Sequence, residues 1–147
     1  MAEKTFIDTN ILVYAHDVQA GEKHACAAKE VERCWLEQAG VLSLQVLQEA
    51  YVTLTQKIKS PLPSRSAKSL IEKYGHWEVV LLDVDDLLSA IDLQKKHHLS
   101  FWDALIVQAA LMAECRQILS EDFSSDRRIA DLTIKNPFVV SGNKTKG

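Results

Sequence analysis

Apolar and polar positions along the chain follow two repeating patterns. Short apolar runs, typical of buried parallel strands, alternate with longer segments in which apolar residues recur every three or four positions, as in amphipathic helices. The predicted strands are Phe6 with Ile7 and residues 41–44, 78–82, 117–119 and 133–140, the last of them an edge strand because it contains Pro137. The polar residues 124–131 are predicted to form a loop. The predicted helices lie after Asp8, at 22–39, at 45–58, after Ser64, at 84–97 and from Asp103 onward. This alternation predicts a three-layer α/β/α sandwich with a parallel sheet of four or five strands.

The first strand leads directly into polar residues. Residues 4–15 read KTFIDTNILVYA, so an apolar pair runs into Asp8, Thr9 and Asn10 before the next apolar run. Thr9 or Asn10 is in position to cap the first helix. Asp8 is then placed at the carboxyl end of a buried strand, where open α/β sheets bind their ligands. The alternative is that Asp8 itself merely caps the helix.

Three further acids occupy comparable positions. Glu49 lies in the early turns of the helix after the second strand, Asp122 follows strand 117–119, and Asp103 opens the apolar helix ALIVQAALMA. Parallel strands would bring Asp8, Glu49 and Asp122 to one edge of the sheet, and a buried Asp103 would need a compensating partner. A shared cation would satisfy all four, and carboxylate oxygens favour Mg²⁺ or Mn²⁺ over zinc. The chemistry indicated is metal-assisted phosphodiester hydrolysis, and the alternative is a set of unrelated surface acids.

Positive charge is concentrated between residues 57 and 73. Five Lys or Arg residues and one Glu give this segment a charge of +4, although the whole chain carries −3. The net charge argues against a generally basic nucleic-acid binder but leaves room for a local basic face. Lys57, Lys59, Arg65 and Lys68 are therefore either an edge that steers phosphates toward an acidic site or an ordinary solvated surface.

Length and composition favour one domain. The chain has 147 residues, of which 47% are hydrophobic, enough for one sizeable core. It lacks a secretory signal and a long apolar span, so we expect an intracellular protein with no membrane segment. Cys26, Cys34 and Cys115 are an odd number at no metal-ligand spacing and read as reduced thiols. A zinc site with His24 lacks a fourth ligand at finger-like spacing.

Four motifs together resemble a known family. FIDTNILVYA, QEAYVTL, FWDALIVQAA and ILSEDF, followed by IKNPF, occur in the order of the PIN-domain family and are most similar to the VapC-like toxins of type II toxin-antitoxin systems. The similarity extends from Phe6 to about Phe138. It implies one PIN-like nuclease domain over residues 1–147, with a flexible tail from about 141 to 147. It also implies a cytoplasmic, Mg²⁺- or Mn²⁺-dependent ribonuclease that forms a homodimer and is inhibited by a small antitoxin.

The resemblance also assigns roles to individual residues. It matches Thr9 and Asn10 to the residues that shape the first turn, and Ser120 to a hydroxyl that frequently lies beside the site. Asp126 corresponds to a fifth acid, a further candidate metal ligand whose role varies in the family. The metal-binding acids are matched by Asp8, Glu49, Asp103 and Asp122.

Other α/β proteins with acids at strand ends fit the chain less well. An aspartate-nucleophile phosphatase needs a second acid two residues after the first, where this chain has Asn10. A receiver-type signalling domain needs adjacent acids in its first cluster, and a dinucleotide binder needs a glycine-rich turn there. A metal-binding signalling domain or an RNA-binding domain of similar fold without nuclease activity remains the alternative. Intact RNA affinity without metal-dependent cleavage would identify the RNA-binding domain.

Overall fold

A six-stranded sheet lies at the centre of the fold. The structure is a computed structural model that describes residues 3–123 and 127–139. In chain order the strands are β1 (Thr5–Ile7), β2 (Gly40–Ser43), β3 (Glu78–Val80), β4 (Gln117–Leu119), β5 (Arg127–Ile129) and β6 (Leu132–Lys135). The helices are α1 (Thr9–His16), α2 (Glu22–Glu37), α3 (Leu44–Gln56), α4 (Ser64–Tyr74), α5 (Val84–His97) and α6 (Phe101–Met112), with a short 3-10 helix at Val18–Ala20.

The strand order in the sheet is β3-β2-β1-β4-β6-β5, and the first five strands are parallel. The chain moves from β1 outward to β3 and then returns across the sheet to β4. Because such crossovers are right-handed, α1 to α4 cover one face and α5 and α6 cover the other. The predicted three-layer α/β fold with a parallel sheet is therefore confirmed.

The end of the sheet differs from the sequence-based prediction. Residues 124–131 were expected to form a loop, yet β5 pairs antiparallel with β6, with Ile129 opposite Leu132. Ile129 is buried, and Ala130 adopts the left-handed backbone conformation at the turn between the strands. β5 therefore adds a sixth strand, and β6 is an interior strand rather than the predicted edge.

The last long helix, α6, is apolar nearly all round, a pattern that predicts burial, and the structure confirms it. Six of its residues are buried, and Val107 and Ala110 are fully enclosed together with Phe6 of β1 and Ile118 of β4. Each large apolar side chain buried in this way stabilises the fold by about 1.5–3 kcal/mol relative to exposure. Among the described helices, none is long and apolar enough to cross a membrane. The predicted tail, residues 141–147, lies outside the described part of the chain.

The start of α1 corrects one prediction. Neither Thr9 nor Asn10 caps this helix; Asp8 is its N-cap, and its carboxylate accepts a hydrogen bond from the backbone N–H of Thr9 at 2.7 Å. The backbone of Asp8 is extended, like that of β1 before it. This is the backbone geometry that an N-cap residue typically has. Because Asp8 supplies the cap, the side chains of Thr9 and Asn10 are available for contacts elsewhere.

Candidate functional site

The acids gather at the carboxyl edge of the sheet, where β1 and β4 lie side by side. β1 connects outward to β2, whereas β4 connects to strands on the other side, so the gap between them is a topological switch point. Asp8 directly follows β1, and Asp122 comes three residues after the end of β4. A groove of about 800 Å³ opens beside them between α1 and α3, and its walls include Thr9, Glu49 and Asp122.

Asp8 is the most buried of the acids. The residue is 5% exposed, and its two carboxylate oxygens accept hydrogen bonds from the Thr9 N–H and from the Ser120 hydroxyl, each at 2.7 Å. The pKa of Asp8 is raised from 3.8 to about 6. Burial is the largest cause, and the negative charges of Asp122 and Asp103 add to the rise, whereas the two hydrogen bonds oppose it. The site therefore holds a carboxylate whose charge the protein compensates incompletely.

Asp103 and Asp122 lie close enough to Asp8 and to each other to interact electrostatically. Asp103 is half-buried in the first turn of α6, where its N–H donates to the Ser100 hydroxyl at 3.1 Å. Burial raises the pKa of Asp103, and the charge of Asp122 adds to this rise. Asp122 is exposed, and its N–H donates to the Ser120 hydroxyl oxygen at 3.1 Å. Ser120 thus bridges the backbone of one acid and the carboxylate of another.

The two residues after Asp8 connect it to other parts of the site. The Thr9 hydroxyl donates to the Glu49 carboxylate at 2.7 Å, so α3 is joined to the first turn of α1. The Asn10 side-chain oxygen accepts a hydrogen bond from the backbone N–H of Glu121 at 3.1 Å. Glu49 itself is exposed. The structure therefore places three acids around the switch point and the fourth across the groove, held through Thr9.

Glu121 was not singled out from the sequence. Its carboxylate accepts a hydrogen bond from the Tyr14 hydroxyl at 2.8 Å and forms an ion pair with Lys23. The two partners are 107 and 98 positions away in the chain, so no local motif connects them. The signal available in the sequence was position alone, since Glu121 stands between Ser120 and Asp122.

The donor set fits a hard divalent cation in its chemistry. All four predicted ligands are carboxylates, and hard cations such as Mg²⁺ and Mn²⁺ prefer oxygen ligands. The raised pKa of buried Asp8 reflects a charge that a cation would compensate. Within residues 3–123 and 127–139, no three Asp, Glu, His or Cys side chains stand close enough together to form a ready-made metal site. Shared ligation by Asp8, Glu49, Asp103 and Asp122 therefore stays a prediction.

The four basic candidates separate into two groups. Lys57 and Lys59 line the same groove as Glu49 and Asp122. Arg65 and Lys68 instead lie on α4, and Lys68 lines a different, largely apolar groove between α3 and α4. The structure thus brings two of the four toward the acids. Asp126, the predicted fifth acid, lies outside the described residues.

Comparisons with known proteins agree with this architecture. The family model of the PIN domain matches residues 5–132. No curated protein matches the chain in sequence. A toxin-antitoxin complex from Klebsiella pneumoniae is similar in structure, with a TM-score of 0.66, 18% identity, and coverage of 93% of this chain and 100% of that chain.

Two further solved structures share the fold. VapC20 of Mycobacterium tuberculosis, described as a toxin that cleaves the sarcin-ricin loop, has a TM-score of 0.61 at 21% identity, with 82% of this chain and 93% of that chain covered. FitAcB of Neisseria gonorrhoeae has a TM-score of 0.59 at 15% identity, with 92% and 99% covered. At these identities the similarity is evidence for the fold.

Proposed function

The chain belongs to the PIN-domain family, and from this membership and the site we propose that it is a divalent-metal-dependent endoribonuclease. The observation that carries the proposal is the environment of Asp8. This carboxylate is buried at the switch point of the sheet, and Asp103 and Asp122 repel it. A stable fold that keeps like charges together at such a position gains from a cation bound there.

In the proposed mechanism Asp8, Glu49, Asp103 and Asp122 would hold Mg²⁺ or Mn²⁺. When bound, such an ion supplies charge stabilisation at the phosphate and lowers the pKa of a water for attack on phosphorus, leaving a 5′-phosphate and a 3′-hydroxyl. Ser120 and Thr9 orient the carboxylates of Asp8 and Glu49 through their hydroxyl groups. No protein nucleophile is required.

The experiment that tests this function is cleavage of labelled RNA by the purified protein. We expect cleavage in millimolar Mg²⁺ or Mn²⁺, loss of cleavage in EDTA, and its return when metal is added back. Cleavage that persists in EDTA would contradict a metal-dependent site. RNA binding without cleavage under any of these conditions would favour the alternative, a binding domain with a PIN fold.

Metal binding is expected to stabilise the protein. A cation that binds the native state, at a free concentration of about ten times its Kd, adds about 1.4 kcal/mol to the free energy of unfolding. For a domain of this size, that raises Tm by a few degrees. Thermal scans of wild type and Asp8→Asn, each with and without Mn²⁺, measure this effect. We expect a clearly smaller rise in the variant, and equal rises would remove Asp8 from the metal site.

Lys57 and Lys59 are expected to steer RNA into the groove. An acidic site repels phosphates, and cations on its wall offset this repulsion and release counterions when RNA binds. Replacing both with Ala should weaken binding of single-stranded RNA and flatten the slope of log K against log salt by about 1.4, which is about 0.7 for each lost contact. Binding titrations at several salt concentrations measure both quantities.

Two double variants provide controls for that experiment. Arg65→Ala with Lys68→Ala removes the same charge from α4, outside the groove, and we expect a smaller change in slope. Lys95→Ala with Lys96→Ala removes the same charge from exposed positions on α5, and we expect no change. If all three double variants have the slope of wild type, the basic segment is an ordinary solvated surface.

We also propose that the protein is the cytoplasmic toxin of a toxin-antitoxin pair and acts as a homodimer. The support is the PIN-domain family and the shared fold with a toxin-antitoxin complex and a VapC toxin. We expect a short reading frame directly upstream that encodes a DNA-binding protein. That protein should copurify with the chain and suppress its cleavage of RNA. Failure of that neighbour to inhibit would favour a housekeeping nuclease.

A further inference from the structure

Glu121 precedes Asp122 in the chain but takes no part in the acidic cluster. Its carboxylate is held from two helices, by the Tyr14 hydroxyl of α1 at 2.8 Å and by the ammonium group of Lys23 of α2. Its backbone N–H donates to the Asn10 side chain at 3.1 Å. Both the backbone and the side chain of this residue are therefore fixed.

Tyr14 and Lys23, the two side chains that bind the Glu121 carboxylate, are themselves held by further contacts. The Lys23 ammonium lies 5.2 Å from the centre of the Tyr14 ring and 5.5 Å from that of the Phe138 ring. The two rings pack edge to face, with their centres 5.4 Å apart. Lys23 therefore combines an ion pair with cation–π contacts. We refer to Tyr14, Lys23, Glu121 and Phe138 as the Glu121 brace.

Asp122 needs such support because of its surroundings. It is exposed, and its charge opposes those of Asp8 and Asp103 in the metal-free protein. Like charges repel one another, so contacts that hold the backbone are needed to keep this exposed carboxylate beside the other acids. The Asp122 N–H bond to Ser120 fixes the segment from the side of the acids. The Glu121 brace joins the same segment to α1 and α2.

We propose that the Glu121 brace positions Asp122 for metal binding, by holding the backbone of residues 120–122 against the repulsion of the neighbouring acids. This inference rests on the proposed function. In this proposal Tyr14, Lys23 and Glu121 are positioning residues that act through the backbone. Tyr14 also lines the groove, so the KM for RNA separates this role from a direct contact with RNA. Lys23 also neutralises Glu121, so the Glu121 carboxylate adds little negative charge to the site.

The brace can be weakened by changes that remove few atoms. Tyr14→Phe deletes one hydroxyl and leaves the ring that packs on Phe138, and Glu121→Ala deletes the carboxylate. Tyr51→Phe is the matched control, because it also deletes a hydroxyl that bonds to a side chain, that of Ser64 at 2.6 Å, away from the acids. Circular dichroism and thermal scans confirm that each variant is folded, and if Glu121→Ala is not, Tyr14→Phe decides the test.

The measurement is the affinity for Mn²⁺, followed by electron paramagnetic resonance without RNA. We expect Tyr14→Phe and Glu121→Ala to raise the Kd for Mn²⁺ by about tenfold, at the lower end of the loss usual for groups that orient metal ligands. The double variant should bind Mn²⁺ no more weakly than Glu121→Ala alone, because each change removes the same hydrogen bond between Tyr14 and Glu121. The KM for RNA should be unchanged, and excess Mn²⁺ should restore the cleavage rate of each variant. Tyr51→Phe should match wild type throughout.

The possible results separate this inference from the proposed function. Wild type that binds no Mn²⁺ would overturn the proposed function and the brace with it. Wild type that binds Mn²⁺ and cleaves RNA, together with variants of equal Mn²⁺ affinity, would overturn the brace alone. A loss of rate that excess Mn²⁺ does not restore, or a raised KM for RNA, would likewise assign these residues to something other than metal positioning.

Discussion

RNA cleavage is expected to fall by about 100-fold or more in each of Asp8→Asn, Asp103→Asn and Asp122→Asn, because neutral amides bind a hard cation much more weakly than carboxylates do. Residues that serve one metal site are not additive in their effects. The double variant Asp8→Asn with Asp103→Asn should therefore be little worse than either single variant. Single-turnover cleavage of a labelled RNA at saturating Mg²⁺ measures the rates.

Glu49→Gln is expected to show a smaller loss than the three Asp variants. Glu49 is exposed, and it is joined to the site by the hydrogen bond that its carboxylate accepts from the Thr9 hydroxyl. The side-chain oxygen of a glutamine could still accept this hydrogen bond. Far-ultraviolet circular dichroism should remain native for every variant, since removing one of several mutually repelling carboxylates relieves unfavourable charge. Near wild-type cleavage by a well-folded Asp8→Asn or Asp103→Asn protein would place the reaction at another site or in a contaminant.

The elements that the sequence predicts well are those whose signals are local. Residues 84–97 were predicted as a helix, and α5 has these bounds because its apolar period begins at a capping box formed by Asp83 and Asp86. The strand at 117–119 was likewise predicted with the bounds of β4. In both segments the pattern and the end signals lie within a few residues of each other.

β5, which the sequence does not predict, forms only by pairing with another strand. β5 contains Arg127, Arg128 and one apolar residue, Ile129, which is no strand pattern on its own. It forms because β6 is present to pair with it across a two-residue turn at Ala130. Pairing of this kind is a property of the sheet, and the composition of residues 124–131 reports only their polarity.

The candidate site shows the same division. The position of Asp8 could be predicted because it directly follows an apolar strand, and strand polarity then places Asp122 at the same edge. The role of Glu121 could not, because its contacts with Asn10, Tyr14 and Lys23 exist only after α1 and α2 have packed beside β4. The four basic residues of segment 57–73 are close in sequence and were therefore predicted to act together. In the structure Lys57 and Lys59 line the groove, whereas Arg65 and Lys68 lie on α4.

Metal-free wild type is expected to lose stability between about pH 4 and pH 6 relative to Asp8→Asn. The pKa of Asp8 rises from 3.8 to about 6 on folding, so the native state binds this proton more tightly than the unfolded state does. Below pH 3.8 Asp8 is protonated in both states and lowers the free energy of unfolding by nothing. The loss grows as the pH rises to about 6, and above that pH it stays constant. The full cost is about 3 kcal/mol, the free energy that corresponds to this rise in pKa.

Urea unfolding of dialysed, metal-free protein from pH 4 to pH 8 measures this difference. Asparagine cannot ionise, and its amide can still accept from the Thr9 N–H and donate to the Ser120 hydroxyl oxygen. The advantage of Asp8→Asn over wild type should thus grow with pH up to about 6, while Asp92→Asn, an exposed control on α5, should follow wild type. Adding Mn²⁺ at pH 7 should narrow this advantage, because the cation compensates the charge of Asp8 in wild type alone. Parallel pH curves for wild type and Asp8→Asn would mean that Asp8 is ionised in the native state at no cost, and the main reason for inferring a cation there would be lost.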